Sequence, residues 1–172
     1  MMKKNQFTIA IYVENKFGVL TRVTSMFTRR GFNIDTLTVG ETEDSAYSRI
    51  TITMSGDGYA RMQMINQLRK LHNVVKIEYL EPETSVTREL MLIKVRNNPE
   101  TRQDVMSAVD IFRSKIIDYS PTALCIEITG EPSKIDAFVE IMKPLEIIEM
   151  CRTGVVAMER GNASIYTKNL KK

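Results

Sequence analysis

A chain of 172 residues has room for one ordinary domain or two small ones, each with a modest core. Apolar residues make up 43% and charged residues 26%, the balance of a globular chain, and no run approaches the roughly 20 apolar residues that a membrane helix needs. The formal charge is only +3, much of it in Lys3, Lys4, Lys168, Lys171 and Lys172, so no basic face is expected and nucleic acid is not indicated.

Met1-Met2-Lys3-Lys4 leads directly into a short alternating segment, without the apolar core and cleavage site of a secretory signal, which predicts a cytoplasmic setting. "FTIAIYV" (7–13) alternates as a strand. Residues 18–30 then place Val19, Leu20, Val23, Met26 and Phe27 at helical spacing. "NIDTLTVG" and "YSRITITM" follow as two strands joined by a polar hairpin loop, Glu41 to Asp44. Met62, Ile65, Leu68 and Leu71 mark a second helix over 59–71, which runs into the strand "VVKIEYLE". The first half therefore reads βαββαβ.

"EPETSVT" (81–87) is polar and without periodicity, as a linker would be. Beyond it come "RELMLIKV", a helix opened by Pro99, "KIIDYS", "TALCIEIT", a helix from Pro132 to about Met142, and "EIIEMCRTG" with "VVAMER". The same order thus appears twice. A residue match accompanies it: Arg30, Ile34 and Asp35 recur as Arg113, Ile117 and Asp118, at an offset of 83. The expected fold is α+β, two tandem ferredoxin-like βαββαβ units: 1–80, a linker over 81–87, 88–161, and a mobile tail over 162–172.

The turn after the first strand, "ENKFG", raises the functional question. Gly18 can take positive φ and admit another molecule to the backbone, and the free N–H groups opening the next helix favour a carboxylate. Asn15 adds a donor and an acceptor, so the turn can meet an α-amino acid; the plainer alternative is a helix cap and a tight turn. At the corresponding place the second unit reads Arg96-Asn97-Asn98-Pro99-Glu100, without glycine. Asn33 is a second polar handle, but in a βαβ unit it lies at the far end of the sheet from Asn15. Both residues can reach one ligand only if a second copy supplies one of them.

"ENKFGVLTRV", "RRGFNIDTLTVG", "SRITI", "RELMLIKV", "FRSKIIDYS", "EITGEPSKIDAF" and "RTGVVAMERG" closely resemble the regulatory, or small, subunits of acetolactate synthase (acetohydroxyacid synthase), from residue 7 to about 161. The resemblance implies that the first unit is an ACT domain that senses an amino acid and forms a homodimer. It implies a branched-chain effector, usually valine, held by Asn15, Gly18, Val19 and Leu20 of one chain and Asn33 and Ile34 of the other. It further implies that the chain binds and activates the large catalytic subunit and confers feedback inhibition. The chain would itself carry no catalytic residue, metal or cofactor; thiamine diphosphate, Mg and FAD are expected on the partner. Phe17 stands where proline commonly precedes the turn glycine, and Glu146 where a glycine is common.

Other classes fare worse. His72 is the only histidine and sits at a helix end, with no nucleophile and base pair in view. "GDG" (56–58) fits a strand-to-helix turn with Asp57 at the helix start better than a diphosphate motif. An acylphosphatase would want an arginine where Lys16 stands, and RNA recognition would want aromatic platforms on the central strands. A free-standing amino-acid sensor acting on another partner is the closer alternative. Cys125 and Cys151, flanked by apolar residues, read as buried thiols, and Met26, Met54, Met62 and Met64 as core filling. Asn162-Ala163-Ser164 is a glycosylation sequon without a secretory route.

Overall fold

The computed structural model describes residues 6–166, so the N-terminal lysines, Lys168, Lys171, Lys172 and the tail from 167 lie outside the described residues. The first half folds as β1 (Gln6–Glu14), α1 (Val19–Arg29), β2 (Thr36–Glu41), β3 (Tyr47–Ser55), α2 (Gly58–Leu68) and β4 (Val74–Leu80). The second half adds β5 (Ser85–Arg96), α3 (Arg102–Ile111), β6 (Lys115–Tyr119), β7 (Ala123–Gly130), α4 (Pro132–Met142), β8 (Ile147–Arg152) and β9 (Val156–Glu159). The sheets are ordered β2-β3-β1-β4 and β6-β7-β5-β8, which is the expected α+β repeat of βαββαβ units.

Each sheet carries helices on one face, and alternation sorts its side chains accordingly. In the first unit Ile9, Ile11, Ile50 and Ile52 pack beneath Val23, Phe27, Met64 and Leu68. In the second, Met91, Ile93, Leu124 and Ile126 meet Val105, Ile135 and Phe138. Among the described residues, compactness sets 87–154 apart from 6–86 with 155–166. The chain after Gly154 therefore closes the first unit: Val155, Ala157 and Ile165 bury Ala10 and Leu80 on the sheet face opposite the helices. Arg49 donates to the Ala157 carbonyl (2.6 Å), and Tyr166 stands edge-on to Tyr12 and donates to Glu43. Within the expected mobile tail, Ile165 and Tyr166 are thus packed, because the sheet leaves an apolar face that they cover.

Several sequence expectations change. Strand β5 begins at Ser85, inside the segment expected to link the units. Pro99 lies in the turn before α3 rather than at its start, because Asn98 accepts from Glu100 N–H and its carbonyl from Arg102 N–H. Cys125 is only half-buried and Cys151 is exposed. Leu124 and Ile126, the apolar neighbours of Cys125, point the other way, since successive strand residues face opposite sides, and Cys151 follows Met150, itself 44% exposed. Met62 is 56% exposed: at about 100° per residue it sits roughly a third of a turn from the centre of the buried face formed by Met64, Ile65 and Leu68. Met54 and Met64 are core residues and Met26 packs against the core. Asp57 caps α2, accepting from Ala60 N–H at 2.8 Å.

The residue match at offset 83 is a coincidence within a real repeat. Register equates Val23 with Val105 and Phe27 with Val109, an offset of 82, and both sheets shift register at equivalent points, after Tyr12 and after Lys94. Equivalent bonds end the helices, from Phe32 N–H to the Phe27 carbonyl and from Ser114 N–H to the Val109 carbonyl. The second unit then enters β6 directly at Lys115, whereas the first inserts Asn33, Ile34 and Asp35 before β2.

The charge expectation also changes. Lys16, Arg22, Arg29 and Arg30 on and around α1, and Arg61, Arg69 and Lys70 on and around α2, share the helix layer of the first unit, and no Asp or Glu occurs in residues 15–34 or 58–73. The small net charge concealed this because the acids gather elsewhere in the unit, as at Glu41, Glu43 and Asp44 in the hairpin and at Glu78, Glu81 and Glu83.

Two stability predictions follow from the second unit. Glu89 is 2% exposed and takes two bonds from Arg152 (2.8 and 2.6 Å), whose pKa those bonds raise. Arg152→Met strands a buried carboxylate and is expected to cost about 3 kcal/mol or more, read from urea unfolding. Glu146 holds φ 57 with only an exposed partner, Arg96 (3.1 Å), which explains the glycine common at this point. Glu146→Gly should raise stability by roughly 0.5–1 kcal/mol and Glu146→Ala should not.

Candidate functional site

Strand β1 delivers Asn15 to the hairpin loop between β2 and β3. Its N–H donates to the Ala46 carbonyl (2.7 Å), and its side-chain amide donates to Glu41 and to the Ser45 carbonyl, each at 3.0 Å. Asn97 is its counterpart, donating to the Thr122 carbonyl through its N–H and to the Ser120 carbonyl through its side chain. An asparagine that ties turn to hairpin is therefore structural in both units. The side-chain oxygens differ. That of Asn97 accepts from Arg102 (2.7 Å) and the residue is buried, whereas Asn15 is exposed and the bonds that fix it use only its nitrogens.

Gly18 precedes α1 at φ 79, ψ −3, in the left-handed region, and no side chain caps the helix. A Cβ there would meet nothing within 4 Å, so the requirement for glycine is conformational, not steric. The N–H groups of Leu20 and Thr21 open the helix, where there is no intrahelical carbonyl to bond, no side chain caps them and no acidic residue lies in that turn. The positive end of α1 is thus open to an anion. Val19 is buried in the core, while Leu20 is 41% exposed at the mouth of the turn and Phe17 stands fully in solvent. Of the expected apolar face of α1, Val19, Val23 and Phe27 are buried and Met26 is half-buried against the core, while Leu20 faces outward.

Beside the turn, Asn73 donates to Glu14 and accepts from Arg22 (2.9 Å). The Asn73 amide, with the Lys16 ammonium, holds the Glu14 carboxyl below its usual range. His72 is exposed, next to Arg22.

Asn33 and Ile34 lie elsewhere. Asn33 is exposed and donates to Asp35, which also accepts from Gln6 (3.1 Å) and Ser55 (2.8 Å). Ile34 is half-buried against the core. Asp35 N–H bonds the Thr53 carbonyl and Asn15 N–H the Ala46 carbonyl, seven residues apart along β3 and its approach, or about 23 Å at the strand rise. One chain therefore brings together Asn15, Gly18, Val19 and Leu20, and holds Asn33 and Ile34 at the opposite end of the sheet. Sequence reasoning missed the role of Glu41 and Ser45 in fixing Asn15; hairpin register after β1 was the signal for it. Among the described residues no cluster of three or more His, Cys, Asp or Glu could hold a metal ion, and no helix is long and apolar enough to cross a membrane.

Known proteins agree along nearly the whole chain. Residues 9–76 match the family model of the ACT domain like that of acetohydroxyacid synthase small subunits, and residues 88–161 match that of the small subunit of acetolactate synthase. A probable acetolactate synthase small subunit of Archaeoglobus fulgidus is 48% identical over 90% of this chain and 97% of its own length. The acetolactate synthase small subunit of Mycolicibacterium smegmatis is 46% identical over 92% and 93%. The crystal structure of the acetolactate synthase small subunit from Thermotoga maritima superposes with a TM-score of 0.86 at 42% identity, over 93% of this chain and all of that one. With a sheet order, a duplicated unit and relatives that agree from end to end, the chain belongs to the family of acetolactate synthase small, regulatory subunits.

Proposed function

We propose that the chain binds the large catalytic subunit of acetolactate synthase, raises its activity and makes it subject to inhibition by a branched-chain amino acid held at the Gly18 turn. The observation that carries this reading is the asymmetry of the repeat. The first turn keeps a left-handed glycine, a helix start with no acidic residue in its first turn where α3 has Asp104, and an asparagine oxygen outside the turn's fixing bonds, and only the first unit carries Asn33-Ile34-Asp35. In the second unit Glu100 and Arg102 occupy the same ground. A fold conserved twice and altered at one turn supports ligand binding there better than it supports a turn of purely structural use.

The ligand's carboxylate would meet the N–H groups of Leu20 and Thr21, and its ammonium the Asn15 oxygen. The remaining polar group would come from a second copy. Strand β2 is a sheet edge. Antiparallel pairing of two β2 edges about Thr38 and Val39 would bring the partner's Asn33 and Ile34 beside Glu41, which itself holds Asn15. Leu20 and Ile34 would then contact the ligand's side chain, where one methylene is worth only ~1–3 kcal/mol, so valine, leucine and isoleucine compete. Inhibition requires that the effector favour one state of the assembly by a coupling of typically ~1–3 kcal/mol. Catalysis, with its thiamine diphosphate, Mg and FAD, stays with the large subunit.

Calorimetric titration tests the site. Valine should bind the unmodified chain at about one per chain, and Asn15→Ala, by removing a charge-assisted bond worth ~1.5–3 kcal/mol, should weaken it at least tenfold with circular dichroism unchanged. Gly18→Ala, forced to hold positive φ, should lose about 1–2 kcal/mol of stability and bind valine poorly. Activity of the large subunit should rise on adding the chain and fall again with valine; an unchanged activity would sink the reading.

A further inference from the structure

The basic helix layer of the first unit is not used by the effector site. It holds Lys16, Arg22, Arg29, Arg30, Arg61, Arg69 and Lys70 without an intervening carboxylate in residues 15–34 and 58–73. The helices of the second unit are mixed in contrast, with Asp104 and Asp110 on α3 and Asp136 and Glu140 on α4. Arg29, Arg30, Arg69 and Lys70 are exposed, and among the described residues none of the salt bridges neutralises them; Lys16 alone of the seven pairs with a carboxylate, Glu14 at 3.2 Å. Arg61 lies over the Tyr79 ring. Beside α1 lies an open depression of about 150 Å³ lined by Thr21, Arg22, Ser25, Met26 and Arg29 of that helix and by Leu71, just after α2. Two guanidinium groups and two hydroxyls thus rim an apolar floor of Met26 and Leu71. On α2, Tyr59 (72% exposed) and Met62 (56% exposed) add apolar surface outside the core.

We infer that this layer is the docking face for an acidic, partly apolar surface of the large catalytic subunit, with a carboxylate side chain entering the depression between Arg22 and Arg29. The inference rests on the regulatory role proposed above and assigns that partner a surface. Charge carries the choice of partner. The six arginines and lysines of this layer that have no carboxylate partner among the described residues repel each other, and an opposing acidic surface relieves that repulsion, speeds encounter and fixes orientation. The depression favours a protein side chain, since its lining offers aliphatic surface at Met26 and Leu71 and no aromatic ring on which a base could stack beside Arg22 and Arg29. The position also suits regulation: α1 begins at the Gly18 turn, so the helix that would meet the effector at one end presents Arg22 and Arg29 to the partner along its side.

The test uses the full chain with the intact large subunit. Arg29→Glu combined with Arg69→Glu should weaken binding to the large subunit at least tenfold in low salt and flatten its salt dependence, while calorimetric valine binding and the thermal transition remain. Arg29→Gln should weaken it less, and Lys115→Glu, on the second unit, should leave it unchanged. Normal association of the double variant would overturn the inference even though the unmodified chain activates the enzyme. Failure of the unmodified chain to bind the large subunit would overturn the regulatory reading as well. Loss of single-stranded RNA binding in the double variant, with association to the large subunit unaltered, would reassign the face to nucleic acid and overturn the inference.

Discussion

Strand β1 is bonded on both sides, to β3 over its whole length and to β4, and its register determines where everything of functional interest lies. Because Glu14 stands opposite Tyr47 and Gln6 opposite Ser55, the turn at Asn15 and the segment at Asn33 to Asp35 are held at opposite ends of one rigid sheet. No side-chain rearrangement closes a gap of about 23 Å. A site that needs both segments must be built from two chains, and the edge strand β2 is the surface through which they can meet. The proposed site thus needs a dimer by sheet geometry alone.

The duplication provides an internal control. The asparagine tie between turn and hairpin persists in both units, at Asn15 and Asn97, so it belongs to the fold. What differs is the glycine in the left-handed region, the first helical turn without an acidic residue, where α3 has Asp104, and the inserted Asn33-Ile34-Asp35. Those differences, rather than the asparagine alone, are what supports the proposed binding of a ligand at the first turn. The same comparison explains the departure at Glu146, a left-handed position that a glycine would hold without strain.

Much of this was legible in the sequence. Alternation and helical spacing located every strand and helix of the two units because one-sided sheets leave strong periodic patterns, and the range expected for α4 coincides with the one observed. Misreadings arose where a residue's neighbours, rather than its own chemistry, decide its environment. Cys125 sits between two core residues yet faces the other side, and Met62 is in phase with Ile65 by count but off the buried face by angle. The match of Arg30 and Asp35 with Arg113 and Asp118 misled because sequence identity carries no register; the hydrogen bonds that end each helix do. The basic layer escaped notice because a net charge sums over faces that the fold separates. The turn itself was legible, for glycine and asparagine at a strand end are conspicuous; the bonds from Glu41 and Ser45 required the hairpin to be folded back on it.

Complementation between two defective chains tests the central claim, a site shared between two copies. Asn15→Ala and Asn33→Ala chains should each bind valine poorly alone. After subunit exchange in an equal mixture, mixed dimers would hold one site with both asparagines intact, restoring about a quarter of the sites at full affinity. A mixture that stays as inert as its components, with exchange verified by native mass spectrometry, would contradict the shared site and require each chain to bind its effector alone.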